Sequence, residues 1–178
     1  DEETGVREIP TGEAGELIVR GPQVMQGYWN KAADTQAVLR DGWLYTGDIV
    51  KRDERGFFFF LDRKKDVIKP WGETVYPREV EAILSQHPAV REAVVVGVPD
   101  HHYGEAVKAY VVQKDGWAIT ECELIDHCRR SLARFKVPVT VEFRRELPRT
   151  IIGKVLRRAL RDEAELVSAD VKASRKAM

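Results

Sequence analysis

Five consecutive charged residues, Asp62-Arg63-Lys64-Lys65-Asp66, divide this sequence into two stretches with different hydrophobic patterning. Such a run is a poor core and a good hinge or linker. Before it the chain reads as mostly β. "ELIVR" at 16–20 alternates like a strand after the turn chemistry of "TGEAG". Residues 31–40 form a short helical stretch that stops at Asp41-Gly42, and "WLYTGDIVKRDERGFFFFLDR" reads as two strands joined by "RDERG". After the charges the period changes. Pro77 suits a first helical turn, with Val80, Ile83 and Leu84 on one face. "VREAVVVGV" and "EAVKAYVVQ" are strands linked by "PDHHYG". Thr120 and Glu123 make a capping-box pattern ahead of an apolar face of Leu124, Ile125, Cys128 and Leu132. "PVTVEFRREL" is a third strand, "KVLRRALRDEAEL" a final helix, and the polar tail after Ser168 should fray. The expected fold class is α+β: the end of a β-rich subdomain, then a small domain with a three-stranded sheet covered by helices.

Length and charge narrow the function. At 178 residues the chain is one generous domain, or one domain and a piece of another. Its 29 basic and 29 acidic residues cancel, which argues against a broad nucleic-acid or anionic-membrane surface. "RRSLARFK" and "VLRRALR" are basic, but acidic residues balance them and no aromatic platform interleaves them. No apolar run is long enough to span a bilayer, and no signal segment opens the chain; a reducing cytoplasm is the simplest context. Cys122 and Cys128 share a helix at no metal-ligand spacing, and His101 and His102 belong to an exposed turn, so no metal site is expected. The opening "DEETGVREIPTGEAGEL" starts without methionine in what looks like a hairpin, which suggests a piece of a longer chain.

Three short stretches could carry chemistry. In "PRTIIGKVLRRALR" a glycine–lysine pair invites comparison with a phosphate loop, but the spacing rejects it. Pro148 stands where the Walker glycine is needed and Val155 where the metal-binding hydroxyl is needed. Lys154 then reads either as a solvated lysine or as a cation at a helix N-terminus, where the dipole already favours an anion. In "YTGD", Asp48 follows a glycine at a strand end. It can present two carboxylate oxygens to a sugar diol, or serve as an ordinary turn aspartate. In "DRKKDVIKPWGETVYPREVE", Arg63 offers permanently charged planar donors, and Gly72 sits where a turn needs positive φ or close backbone approach.

Together with "ELIVRGPQVMQGYWN", "DGWLYTGD" and "GVPDHHYGEAVKAYVV", these stretches occur in one order, and from residue 4 to about 163 the chain resembles the C-terminal third of an adenylate-forming enzyme. It is most similar to the AMP-forming acyl-CoA synthetases of the long-chain-fatty-acid type. Each motif is weak alone; five in register are not. The resemblance implies a reaction in two halves. A carboxylate attacks the α-phosphate of ATP with Mg2+ to give an acyl-adenylate and pyrophosphate, and coenzyme A then displaces AMP to give a thioester.

It also implies a division of the chain. Residues 1–62 would be the β-rich end of the large adenylating domain, 63–66 the hinge, and 67–178 a small mobile lid. Asp48 and Arg63 match the residues that hold the ribose hydroxyls, and Lys65 and Asp66 fall at the hinge. Gly72 matches the glycine lining the pantetheine channel, and Lys69 shares its loop, where a lysine in some relatives serves the second half-reaction. Lys154 matches the lysine that bridges the substrate carboxylate and the α-phosphate. Asp62 replaces a common glycine, Pro70-Trp71 is bulkier than usual before Gly72, and Ile152 replaces a common serine. The phosphate loop, the adenine- and magnesium-binding motif and the acyl pocket lie upstream of residue 1 in the family, so the chain alone is expected to be inactive. The partners implied are a small carboxylate, coenzyme A and the chain's own N-terminal domain, with pairing between copies through exposed strand edges a risk of truncation. Two alternatives are an adenylation domain that loads a carrier protein and a non-catalytic binding module; the second would be expected to lose Lys154, Asp48 or Arg63.

Overall fold

The computed structural model describes residues 1, 5 and 7–176, with side chains up to residue 166. Part of the opening hairpin expected from the sequence therefore lies outside the described residues. The chain divides into two compact units, Asp1–Lys65 and Asp66–Met178.

The first unit is a four-stranded sheet. Strand β1 (Ala14–Val19) pairs antiparallel with β3 (Trp43–Arg52). On the other side of β3 run β2 (Leu39–Arg40) and β4 (Phe58–Arg63), and helix α1 (Ala32–Val38) precedes β2. The helix is shorter than its sequence suggested, because Leu39 and Arg40 are extended and pair with Leu44 and Trp43. The cause is the Asp41-Gly42 pair, with φ of 51° and 78°. Two left-handed residues in succession make the tight hairpin turn whose twist matches paired strands, so the "DG" that looked like a helix stop closes a hairpin. The β3–β4 turn is fixed by Asp53, whose Oδ1 accepts from the N–H groups of Arg55 and Phe57 at 3.0 and 2.9 Å. Ile49 is fully buried, whereas Phe57, Phe58, Phe59 and Phe60 are all exposed.

The second unit is a three-stranded sheet covered on both faces. Helix α2 (Pro77–Ser85) leads into β5 (Val90–Asp100) and β6 (Gly104–Gln113), which pair antiparallel. Helix α3 (Glu121–Arg129) then crosses over so that β7 (Thr140–Arg144) adds parallel to β6, and α4 (Arg157–Lys176) completes the unit. The valine runs of β5 and β6 feed both faces. Val95, Val107, Ala109 and Val111 pack with Val80 and Leu84 of α2 and Leu124 and Cys128 of α3. Val94, Val96, Tyr110 and Val112 pack with Leu147 and with Leu160 of α4. A strand buried on both faces reads as an unbroken apolar run. The capping box of α3 is formed: Thr120 Oγ1 accepts from the Glu123 N–H, and Glu123 Oε2 accepts from the Thr120 N–H. Burial pushes the Cys128 thiol up to about 11, as suits a core side chain. The backbone of α4 continues to Lys176, past Ser168 where the sequence suggested fraying. Among the described residues no helix is long and apolar enough to cross a membrane.

Candidate functional site

The β3–β4 register places Asp48 directly opposite Arg63. Arg63 Nε donates to Asp48 Oδ1 at 3.1 Å, and both side chains reach solvent. Asp48 enters this position through a turn: Gly47 has φ of +71°, and the Asp48 N–H donates to Thr46 Oγ1 at 3.1 Å. Thr46 in turn donates to the Leu17 carbonyl at 2.7 Å. Among the described residues nothing else hydrogen-bonds Asp48 Oδ2 or the terminal nitrogens of Arg63. A carboxylate acceptor beside planar donors suits a vicinal diol, whose hydroxyls both donate and accept. Asp62, absent from the usual pattern, is buried, and its Oδ1 accepts from the Arg63 N–H at 2.8 Å.

The charged run carries a short 3₁₀ turn, Lys64–Asp66, at the boundary of the two units. Its ends are tied in opposite directions along the chain. Lys64 Nζ donates to Glu16 Oε2 at 2.8 Å within the first unit, and Arg161 of α4 donates to Asp66 Oδ1 at 3.0 Å within the second. Lys65, between them, is exposed.

Lys69 and Gly72 share one loop, docked on the turn between β5 and β6. Ile68 and Val75 close it as a bridge around a tight turn at Pro70–Gly72. Trp71 and Gly72 both lie in the left-handed region, with φ of 53° and 82°. Glycine takes that conformation freely; tryptophan costs of order 1 kcal/mol and must be held there. The Trp71 N–H donates to the Tyr103 carbonyl and its indole N–H to the His102 carbonyl, each at 2.9 Å, and its ring meets the Tyr103 ring edge-on at 4.2 Å. Asp100 braces that turn by accepting from the N–H groups of His102 and Tyr103 at 2.8 and 3.0 Å. The hydrogen bond from Tyr103 is the main reason its carboxyl lies below the ordinary aspartate value. A Cβ at Gly72 would meet no chain atom within 4 Å, so the loop is open on that side. Glu105, which the sequence reading missed, organises the loop: its Oε2 accepts from the Lys69 N–H at 2.7 Å. Gly97 leaves room for it, since an added Cβ there would fall 1.9 Å from Glu105 Oε1.

Lys154 does not open α4. The helix starts three residues later, because Gly153 is left-handed at φ of +80° and Arg149 pairs with Val155 as a bridge. The lysine therefore rides on a small hairpin, not on a helix dipole. Thr150 holds its backbone on both sides, its N–H donating to the Lys154 carbonyl at 2.7 Å and its Oγ1 accepting from the Lys154 N–H at 3.1 Å. Arg149 Nη1 donates to the Gly153 carbonyl at 2.8 Å, and its Nη2 pairs with Glu92 Oε2 at 2.6 Å. Lys154 is exposed, as are Ile151 and Ile152 at the hairpin tip, and among the described residues no carboxylate pairs with its ammonium. The structure thus brings together Asp48 with Arg63, and Lys69 with Gly72, while Lys154 stands on its own hairpin.

Residues 79–154 match the family described as the AMP-binding enzyme C-terminal domain. The chain is 56% identical over 162 residues to the long-chain-fatty-acid–CoA ligase of Bacillus subtilis, a match covering 91% of this chain and 29% of that protein. It resembles the crystal structure of ATP-bound MatB from Rhodopseudomonas palustris at 41% identity and a TM-score of 0.86, covering 92% of this chain and 32% of that one. It also resembles the amide bond synthetase McbA from Marinactinospora thermotolerans at 44% identity and a TM-score of 0.80, covering 86% and 32%. The chain thus spans about three tenths of the length of each, and with the curated ligases it aligns only to the C-terminal part. Residues 79–154 are an AMP-binding enzyme C-terminal domain, set in a chain homologous to the C-terminal part of the acyl-CoA ligases and related adenylate-forming enzymes.

Proposed function

We propose that this chain supplies the diol-binding strand pair, the hinge and the C-terminal lid of an AMP-forming acid–thiol ligase acting on a fatty carboxylate. The observation that carries this reading is the Asp48–Arg63 pair, 15 residues apart in sequence yet directly opposite in register on β3 and β4 and hydrogen-bonded at 3.1 Å. In the first half-reaction a carboxylate oxygen bonds to the α-phosphorus of ATP and the α–β phosphoanhydride bond breaks, releasing pyrophosphate. In the second the thiol of coenzyme A bonds to the acyl carbon, gives up its proton, and AMP leaves. Asp48 and Arg63 hold the ribose hydroxyls. Lys154 neutralises the charge that builds when two anions are forced together, where a positioned cation is worth most in the transition state. The open, left-handed Gly72 lets the pantetheine arm pass close to the backbone, with Lys69 on the same loop serving thioester formation. The chain bends at Lys65 and Asp66, between the anchored Lys64 and the helix α4 that holds Asp66. Magnesium and the triphosphate are gripped by the portion of the ligases that this chain does not span, and without that portion the chain turns over nothing.

The test is made on the full-length protein with ATP, magnesium, coenzyme A and a panel of long-chain, short-chain and aromatic acids. Pyrophosphate, AMP and thioester are followed together. Thioester formed fastest from long-chain acids supports the reading. Pyrophosphate without a coenzyme A thioester moves the acceptor to an amine or a carrier protein, and no pyrophosphate from any acid refutes the ligase reading altogether.

A further inference from the structure

We infer that Glu16 is a positioning residue for the diol-binding pair, fastening both strands that carry it; the inference rests on the ribose reading of Asp48 and Arg63. The register between β1 and β3 runs Glu16 to Ile49 and then Ile18 to Tyr45. Thr46, Gly47 and Asp48 are therefore left opposite Leu17 alone. Such a bulge takes backbone N–H groups out of the ladder and re-aims a side chain, here Asp48, and the N–H groups need other acceptors. Thr46 Oγ1 takes the Asp48 N–H, and Glu16 Oε1 takes the Gly47 N–H at 3.1 Å. The second oxygen of the same carboxylate accepts from Lys64 Nζ at 2.8 Å.

One carboxylate thus joins the residue before Asp48 to the residue after Arg63. With the Asp48–Arg63 bond it closes a ring of contacts around the bulge. The Glu16 side chain is only 6% exposed. A carboxylate is costly to bury unless it is paired and hydrogen-bonded, and these two contacts account for its place there. A bulge without such a clasp is free to twist, and the separation of two groups that must grip adjacent hydroxyls would wander; held geometry is what makes a binding pair effective.

The test uses the full-length enzyme and compares ATP with 2′-deoxy-ATP in pyrophosphate release, with Asp48→Ala run in parallel. Glu16→Ala is expected to lower kcat/KM for ATP by about tenfold or more, while 2′-deoxy-ATP falls by less than about threefold, so that the ribose preference collapses toward that of Asp48→Ala. Glu16→Gln, which keeps an acceptor for Gly47 but loses the charge for Lys64, should fall between wild type and Glu16→Ala. It also decides the matter if the alanine variant does not fold. A merely structural role would lower both nucleotides equally, and that result overturns the inference while the Asp48 control still supports the diol reading. If Asp48→Ala itself leaves the preference intact, the diol reading fails and this inference fails with it. A readout free of turnover is amide exchange at Gly47 in this chain: Glu16→Ala should speed it, and an unchanged rate overturns the clasp.

Discussion

Replacing Lys154 with alanine should separate catalysis from stability. The side chain is exposed and no described carboxylate pairs with it, so its loss should change stability by no more than about 0.5 kcal/mol. The hairpin that carries it is held by backbone and by Thr150 and Arg149, none of which the substitution touches. The chemical loss is much larger. A unit charge about 4 Å from another contributes ~4 kcal/mol at an effective dielectric of ~20. Losing one positioned stabilising group commonly costs a similar amount, roughly a hundred- to a thousandfold in rate. In the full-length enzyme Lys154→Ala should therefore lower acid-dependent pyrophosphate release by about 10²–10³. Conversion of preformed acyl-adenylate and coenzyme A to thioester should stay within about threefold, and the melting temperature within about 2 °C. A fall of less than about tenfold in adenylation, or an equal fall in both half-reactions, would refute the assignment.

Other consequences concern the second unit. Gly97→Ala puts a Cβ 1.9 Å from Glu105 Oε1, so the Glu105 side chain must shift and its bond from the Lys69 N–H should weaken; the expected cost is about 0.5–1.5 kcal/mol with faster exchange of the Lys69 amide, and an unchanged exchange rate would count against the role of Glu105. Leu84→Ala empties a fully buried site in the core between α2 and the sheet and should cost about 2–5 kcal/mol in urea unfolding with an unchanged m-value. The pH profile should carry a histidine component. Desolvation, then the nearby His127, hold His87 below its ordinary value of 6.5, with Arg130 adding to the shift and Glu123 opposing it. His87 Nδ1 accepts from the Ala89 N–H at 3.2 Å and its ring lies 5.2 Å from that of His127, so the protonated ring loses an acceptor and gains a like-charged neighbour. A depressed histidine binds its proton more readily unfolded, so the stability is complete above pH 6.5 and is lost as pH falls from there through the folded value. Thermal melts between pH 7.5 and 5 should show this decline, and His87→Gln should flatten it; an unflattened profile places the loss elsewhere.

Much of this protein was legible in its residues. Unbroken valine runs specified β5 and β6, Thr120 and Glu123 specified the start of α3, and Pro77 opened α2, because each is a local rule that a short segment satisfies by itself. The motif residues Asp48, Arg63, Lys69, Gly72 and Lys154 could likewise be picked out in order. Local rules misjudged two places where a neighbouring segment supplied the deciding contact. Asp41-Gly42 closed a hairpin once β3 offered Leu39 and Arg40 a partner, and Lys154 left the helix because Arg149 and Val155 bridged across Gly153. Tertiary structure alone decided what holds the candidate groups in place. Glu16 lies 31 residues from Gly47 and 48 from Lys64, and Glu105 lies 36 from Lys69. No pattern of spacing marks such partners, because a carboxylate finds a bulged or looped N–H only after strand register has fixed which backbone groups are left out of the ladder.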